Sequence, residues 1–344
     1  MIRGDIRSLT AYQVPDSRGM IKLDAMENPY PLPDSLRGKW AKRLAKAEIN
    51  RYPDADAREL RQMIAEQDGL SAENVLLGNG SDEIIQMLLM AADNSACVIP
   101  QPTFTMYELI SRWLKRPVAS VPLEKDFTLN AEGFVRVCAR EKASIAFLSC
   151  PNNPTGNMWS RSTVAQVAES FRGILVIDEA YRPFADDTYV DMLAPNVLIL
   201  RTFSKLGMAG LRLGYLLGHP DTIAHLNKVR LPYNINTLTQ LSTRFFLEHF
   251  DLFEEQAKQI RAERKRVSRA LMGIDGITVF PSQANFLLFR VKGADDLFEK
   301  LRDKKILIKN MNPQGGLLKE CLRVTIGLPE ENAAFLQALE EILA

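Results

Sequence analysis

With 344 residues, 46% of them hydrophobic, the chain can bury a large core, and its length predicts two domains of roughly 100–200 residues each. Forty-three basic against 42 acidic residues leave a net charge of +1, which excludes the imbalance expected of a nucleic-acid or anionic-membrane binder. No stretch approaches the roughly 20 apolar residues that span a bilayer.

In chain order, the charged opening Met1 to Arg7 lacks the apolar core of a secretory signal, and residues 1–35 read as an extended, proline-containing arm. Helical periodicity follows over Leu36–Ala47 and, after the turn Asn50–Asp54, over Ala57–Gln67. A short strand, Val75–Leu77, runs into the turn Gly78-Asn-Gly-Ser-Asp-Glu83. The helix Glu83–Met90 comes next, with Ser81 or Asp82 as its expected cap. Strands are expected at Ala96–Ile99, Ala143–Ser149, Ile174–Ile177, Val197–Arg201 and Leu213–Leu217, separated by helical stretches. Several are continuously apolar, as strands are when helices cover both faces of a parallel sheet.

The pattern changes near residues 240–250. A long charged amphipathic helix, Leu252–Met272, leads to strands at Ile277–Phe280, Phe286–Arg290, Ile306–Lys309 and Leu322–Thr325 and a closing helix, Glu330–Leu343. The fold class is therefore α/β, with an arm (1–35), a large domain (36–245) and a smaller α+β domain (246–344). The basic run Lys258–Arg266 has helical spacing and reads as a solvated helix face.

Cys97, Cys138, Cys150 and Cys321 show no paired spacing and read as buried, reduced thiols, which fits a cytoplasmic protein. His219, His225 and His249 share no ligand spacing with them, so no zinc site is expected. There is no Gly-x-Ser-x-Gly elbow and no complete Gly-x-Gly-x-x-Gly.

Polar groups follow the expected strands one after another. They are Gly78–Glu83, Pro151-Asn-Asn-Pro-Thr-Gly156, Asp178 with Tyr181, Thr202-Phe-Ser-Lys205, and Arg212. Each alone has an ordinary explanation as a cap, turn former or surface ion-pair partner. Together, at the carboxyl ends of strands in one domain, they form a ligand site. They supply what pyridoxal 5′-phosphate needs. Lys205 offers an amine for a Schiff base, Asp178 a carboxylate for the ring nitrogen, and Asn153 and Tyr181 donors for the ring oxygen. The amides of Ser81 and Asp82, the hydroxyls of Thr202 and Ser204, and the Arg212 guanidinium suit the phosphate. Phe104 is the candidate to cover one ring face. Lys205, Asp178 and Tyr181 are the expected catalytic set.

Asn-Pro-Thr-Gly156, Asp178-Glu-Ala-Tyr181 and Ser204-Lys-x-Gly-x-x-Gly-x-Arg-x-Gly214, in this order, resemble the fold-type-I aminotransferases, from about residue 10 to the end. Within that group the runs Leu9–Tyr12, Leu23–Pro29, Asn50–Pro53, Gly78–Glu83 and Cys321–Gly327 are most similar to the branch acting on histidinol phosphate. The resemblance implies ping-pong transamination between L-histidinol phosphate and 2-oxoglutarate in histidine biosynthesis. It also implies a homodimer with shared active sites, in which Tyr52 reaches the neighbouring subunit's cofactor phosphate. Arg323, Lys309, Tyr12 and Asn153 would contact the substrate. An aromatic amino-acid aminotransferase and a threonine-phosphate-type decarboxylase are built from the same parts. A non-catalytic cofactor-binding regulator is disfavoured, because no DNA-binding extension or basic arm accompanies the domain. Three positions depart from the pattern. The loop from Lys205 to Arg212 is one residue shorter than in many relatives, Lys309 stands where an arginine is frequent, and Met26 replaces a frequent asparagine.

Overall fold

A computed structural model describes residues 1–11 and 14–343. Its centre is a seven-stranded sheet formed by β1 (Val75–Gly78), β2 (Cys97–Gln101), β3 (Val118–Pro122), β4 (Ile145–Ser149), β5 (Ile174–Asp178), β6 (Val197–Thr202) and β7 (Gly214–Leu217). The spatial order is β1-β7-β6-β5-β4-β2-β3. β2 to β6 are mutually parallel, whereas β7 runs antiparallel to both β1 and β6. The sheet is mainly but not wholly parallel.

Alternation along β4 explains its continuous hydrophobicity. Ile145 and Phe147 pack into the cluster containing Leu88 and Tyr107, while Ala146 and Leu148 pack on the other face with Phe134 and Val164. Both faces are covered, so no position is left for a polar residue until the strand ends. The parallel strands all deliver those ends to one edge of the sheet.

A second sheet is antiparallel, in the order β10-β11-β9-β8, from β8 (Ile277–Val279), β9 (Phe286–Val291), β10 (Lys309–Asn310) and β11 (Cys321–Thr325). Ile260 and Val267 of the long helix Phe250–Met272, and Phe335 and Leu339 of the last helix Pro329–Leu343, fill its core with Phe289 and Val324. Ile21–Lys22 of the arm pair in parallel with Ile306–Leu307.

Several sequence expectations shift. Val118–Pro122 is a strand that alternation failed to reveal, because it lies at the sheet edge with only Val121 buried among its apolar residues. The expected strand Ile306–Lys309 divides between the arm pair and β10. The helix expected from Glu83 begins at Ser81, and its cap is Gly80, so neither Ser81 nor Asp82 caps it. The arm is not wholly extended, since Gly4–Arg7 form a helical turn. No helix among the described residues is long and apolar enough to cross a membrane.

Candidate active site

Strands β4, β5 and β6 end at Ser149, Asp178 and Thr202, and the turns beyond them carry most of the polar groups. Lys205 lies in the single turn Ser204–Leu206, which Gly207 ends at φ 106°. Only glycine takes that backbone readily, and a Cβ there would press within 3.2 Å of the Asn28 amide nitrogen. Lys205 Nζ donates to the carbonyl of Ala25 at 3.2 Å and stands 5.8 Å from the centre of the Tyr181 ring. Burial, reinforced by the Arg323 charge, lowers the amine to about 8, so a useful fraction is neutral near physiological pH.

Asp178 is buried at the end of β5. Its Oδ2 accepts the Tyr107 hydroxyl at 2.5 Å and its Oδ1 accepts the amide of Ala180 at 2.9 Å. Burial pushes the carboxyl up to about 6, while the Tyr107 hydrogen bond acts in the opposite direction.

A polar chain crosses from the large sheet to the small one. Asn153 Nδ2 donates to Tyr181 Oη at 3.1 Å, and Arg323 Nη1 donates to Asn153 Oδ1 at 2.5 Å. Arg323 Nη2 reaches the carbonyl of Asp24 at 2.9 Å. Tyr181 also contacts Met26 Sδ at 3.7 Å. Lys309 lies opposite Arg323 in the β10–β11 register and is half-buried.

The other end of the cleft is an anion cup. Gly80 starts the helix Ser81–Ala91 without a side-chain cap, and first-turn amides of this kind are donors suited to an anion. Thr202 Oγ1 donates to Ser204 Oγ at 2.9 Å, and Arg212 Nη1 to the same oxygen at 3.4 Å. Two glycines permit this convergence. A Cβ on Gly80 would sit 2.7 Å from Arg212 Nη2, and one on Gly214 would sit 2.6 Å from the Ser81 amide nitrogen. Asp82 is half-buried beside the cup; burial raises its carboxyl against the pull of the Arg212 and Lys205 charges.

Phe104 meets Tyr107 edge-on, with ring centres 5.4 Å apart, which ties it to the residue that holds Asp178. Tyr52 does not join the cluster within this chain. It is 80% exposed and stacks on Tyr233 at 4.5 Å. Tyr12 lies outside the described residues.

Sequence reading missed Tyr107, the carbonyls of Asp24 and Ala25, and Asn152. Asn152 is buried and bonds Pro102 O, Thr103 and Thr155, pinning the Phe104 loop to the Asn153 loop. Tyr107, three residues after Phe104 at the start of the helix Met106–Trp113, was the one with a legible signal; main-chain carbonyls carry none.

The donor set fits pyridoxal 5′-phosphate. A buried carboxylate suits a protonated ring nitrogen, whose positive charge would offset the burial that pushes Asp178 up to about 6. A lysine lowered to about 8 suits carbonyl chemistry, and the cup combines amides, hydroxyls and a guanidinium.

Comparison with known proteins agrees. The family model described as aminotransferase class I and II matches residues 18–339, and the fold is that of this pyridoxal-phosphate-dependent class. The chain is 45% identical to histidinol-phosphate aminotransferase 2 of Cupriavidus pinatubonensis, covering 98% of this chain and 95% of that relative. It is likewise 45% identical to histidinol-phosphate aminotransferase 1 of Ralstonia nicotianae, over 98% and 93%. The crystal structure of histidinol-phosphate aminotransferase from Clostridium acetobutylicum superposes with a TM-score of 0.85 at 25% identity, covering 93% of this chain and 98% of that one. The chain belongs to the histidinol-phosphate aminotransferase family.

Proposed function

We propose that this protein transfers the amino group between L-histidinol phosphate and 2-oxoglutarate, in the histidine-biosynthetic direction giving L-histidinol phosphate from imidazole acetol phosphate and L-glutamate. The observation that carries the reading is the run Lys205, Tyr181, Asn153 and Arg323, which joins an amine to an anion-binding guanidinium across one cleft.

Pyridoxal 5′-phosphate supplies the electron sink for the α-carbon charge. Ser81, Asp82, Thr202, Ser204 and Arg212 hold the phosphate, Asp178 keeps a proton on the ring nitrogen, and Asn153 and Tyr181 donate to the ring oxygen. Phe104 covers the ring. Lys205 Nζ anchors the cofactor before substrate arrives, then takes the proton from the substrate α-carbon and holds it for redelivery. Arg323 binds the substrate's carboxylate or phosphate, with Lys309 adding charge without a bidentate fork. Because Arg323 rests on Asp24 O and Lys205 on Ala25 O, an incoming anionic substrate exchanges with main-chain carbonyls rather than with bulk water.

The working unit is a homodimer. Tyr52 and Tyr233 stack on a surface where Leu231 and Leu238 are also exposed, and a second copy covers them, with Tyr52 reaching the partner's phosphate cup and Tyr12 closing over the substrate. Residues 36–245 and 246–344 act as the large and small domains. Four buried free thiols support a cytoplasmic location.

Steady-state assays with histidinol phosphate, phenylalanine and threonine phosphate test this reading. Histidinol phosphate is expected to give the highest kcat/KM, dependent on 2-oxoglutarate. Preference for phenylalanine, or CO₂ release without a keto acceptor, overturns it.

A further inference from the structure

Tyr107 has no place in the motifs that define the site, yet it is buried with its ring packed against two aromatics and its hydroxyl bonded. Its ring stacks on Phe147 of β4 at 4.6 Å with planes 11° apart, and Phe104 meets it edge-on. Its carbonyl accepts Ser111 Oγ at 2.7 Å, which fixes the first turn of the helix Met106–Trp113. Its hydroxyl lies 2.5 Å from Asp178 Oδ2, with Ser149 also within hydrogen-bonding reach.

We propose that Tyr107 is a positioning residue: its phenol donates to Asp178 and so holds that carboxylate ionised and aimed at the cofactor's ring nitrogen, while its ring fixes the aromatic cover Phe104. This deepens the transamination reading and rests on it.

The direction of donation follows from burial. Burial and the adjacent Asp178 charge hold the Tyr107 phenol well above its ordinary range, so the proton stays on the phenol and the carboxylate accepts. A hydrogen bond to the ionised form favours that form, opposing the desolvation that drives Asp178 toward protonation. The Ala180 amide at Oδ1 is the second donor to this carboxylate. Without the phenol, desolvation faces one donor instead of two.

Tyr107→Phe removes the hydroxyl and keeps both ring contacts. In the apoprotein, the wild-type carboxyl has its folded value raised above the unfolded one. Its contribution to stability is therefore present at acid pH and lost as pH rises through about 6. In Tyr107→Phe that loss extends to higher pH, by about one unit, which urea midpoints measured against pH will show. Titration of the apoprotein with pyridoxal 5′-phosphate should give a weaker Kd, by about 10- to 100-fold, the size of a hydrogen bond to a charged group. In the loaded enzyme, kcat falls by a similar factor, and replacing the α-hydrogen of glutamate with deuterium slows turnover more than in the wild type.

A Tyr107→Leu variant, which also frees Phe104, should weaken cofactor binding further. If Tyr107→Phe matches the wild type in apoprotein pH profile, cofactor affinity and isotope effect, the proposal is wrong, even though an active wild type leaves the transamination reading intact. An inactive wild type sinks that reading instead, and the apoprotein profile still tests Tyr107. Should Tyr107→Phe be too unstable without cofactor, a pH titration of the loaded enzyme's visible band decides the matter: an upward shift supports the role and no shift overturns it.

Discussion

The two walls of the cleft are held in different ways. On the large-sheet wall, Asn153, Asp178, Thr202 and Lys205 each lie within a few residues of a strand end, so register fixes them. On the facing wall, the carbonyls of Asp24 and Ala25 meet Arg323 and Lys205 across 299 and 180 residues of sequence. Met26 is pinned between Thr325 Oγ1 and Asn285 Nδ2, each at 3.0 Å. The first wall is covalently local and rigid. The second is assembled from single hydrogen bonds, which a ligand can replace one for one. Changes to the first wall should strike cofactor chemistry, and changes to the second should strike substrate affinity.

The largest effect tests the first wall. Lys205→Ala should lower kcat by about 10⁴-fold, the upper range for a lost acid–base group. The visible absorbance of covalently held cofactor should disappear, with the circular dichroism of the fold retained. Substantial multiple-turnover activity would show that the strand-end wall does not carry the proton transfer.

Arg323→Lys tests the second. The charge is kept, but one amine cannot serve Asn153 Oδ1, Asp24 O and a substrate anion with the same geometry. KM for both amino donors should rise about 10- to 100-fold, the worth of a hydrogen bond to a charged group, with cofactor affinity within a factor of about two of wild type. Loss of cofactor in equal measure would mean that the walls are one mechanical unit.

The same asymmetry governs what was legible. Asp178, Asn153 and Lys205 follow apolar runs, so periodicity placed them at strand ends before any contact was known. Arg323 sits inside a strand, and nothing in the residues around it announces that Asp24 O lies 2.9 Å away. Its place had to come from family resemblance. The antiparallel course of β7 was hidden for a related reason. An apolar strand reads alike in either direction, and only the turn through Arg212, itself left-handed at φ 52°, reverses the chain. Val118–Pro122 was lost because edge strands need not be apolar. Tyr52 was legible as a motif residue, but its exposure and its stack on Tyr233 were not.

A pH experiment sharpens the comparison at intermediate size. Lys205 titrates at about 8 in the folded chain against 10.5 for the ordinary amine. Between those values the unfolded chain binds a proton that the folded chain does not, so stability rises with pH across about 8 to 10.5. Below that window burial of the charged amine destabilises the fold. Urea midpoints of the apoprotein should therefore climb relative to Lys205→Met as pH passes through the window. A constant difference between the two proteins would place the amine in contact with solvent rather than in the wall.

Met26→Asn should have the smallest effect, and it probes the Met26–Tyr181 contact, the weaker of the side-chain links between the walls beside Arg323–Asn153. Met26 holds φ 54°, a left-handed conformation that costs a non-glycine residue about 1–2 kcal/mol and that asparagine tolerates better. Against this gain, the nearly buried side chain loses apolar burial of about 1.5–3 kcal/mol at most. The two oppose each other, so the melting temperature should move by only a few degrees. Catalysis should change little, because Asn153 still holds Tyr181 when the weak sulfur contact is gone. A kcat within about three-fold of wild type, under about 1 kcal/mol on the barrier, fits that view. A fall of an order of magnitude would instead assign the alignment of Tyr181 to the arm, and the rigid wall would then extend across the cleft to include residue 26.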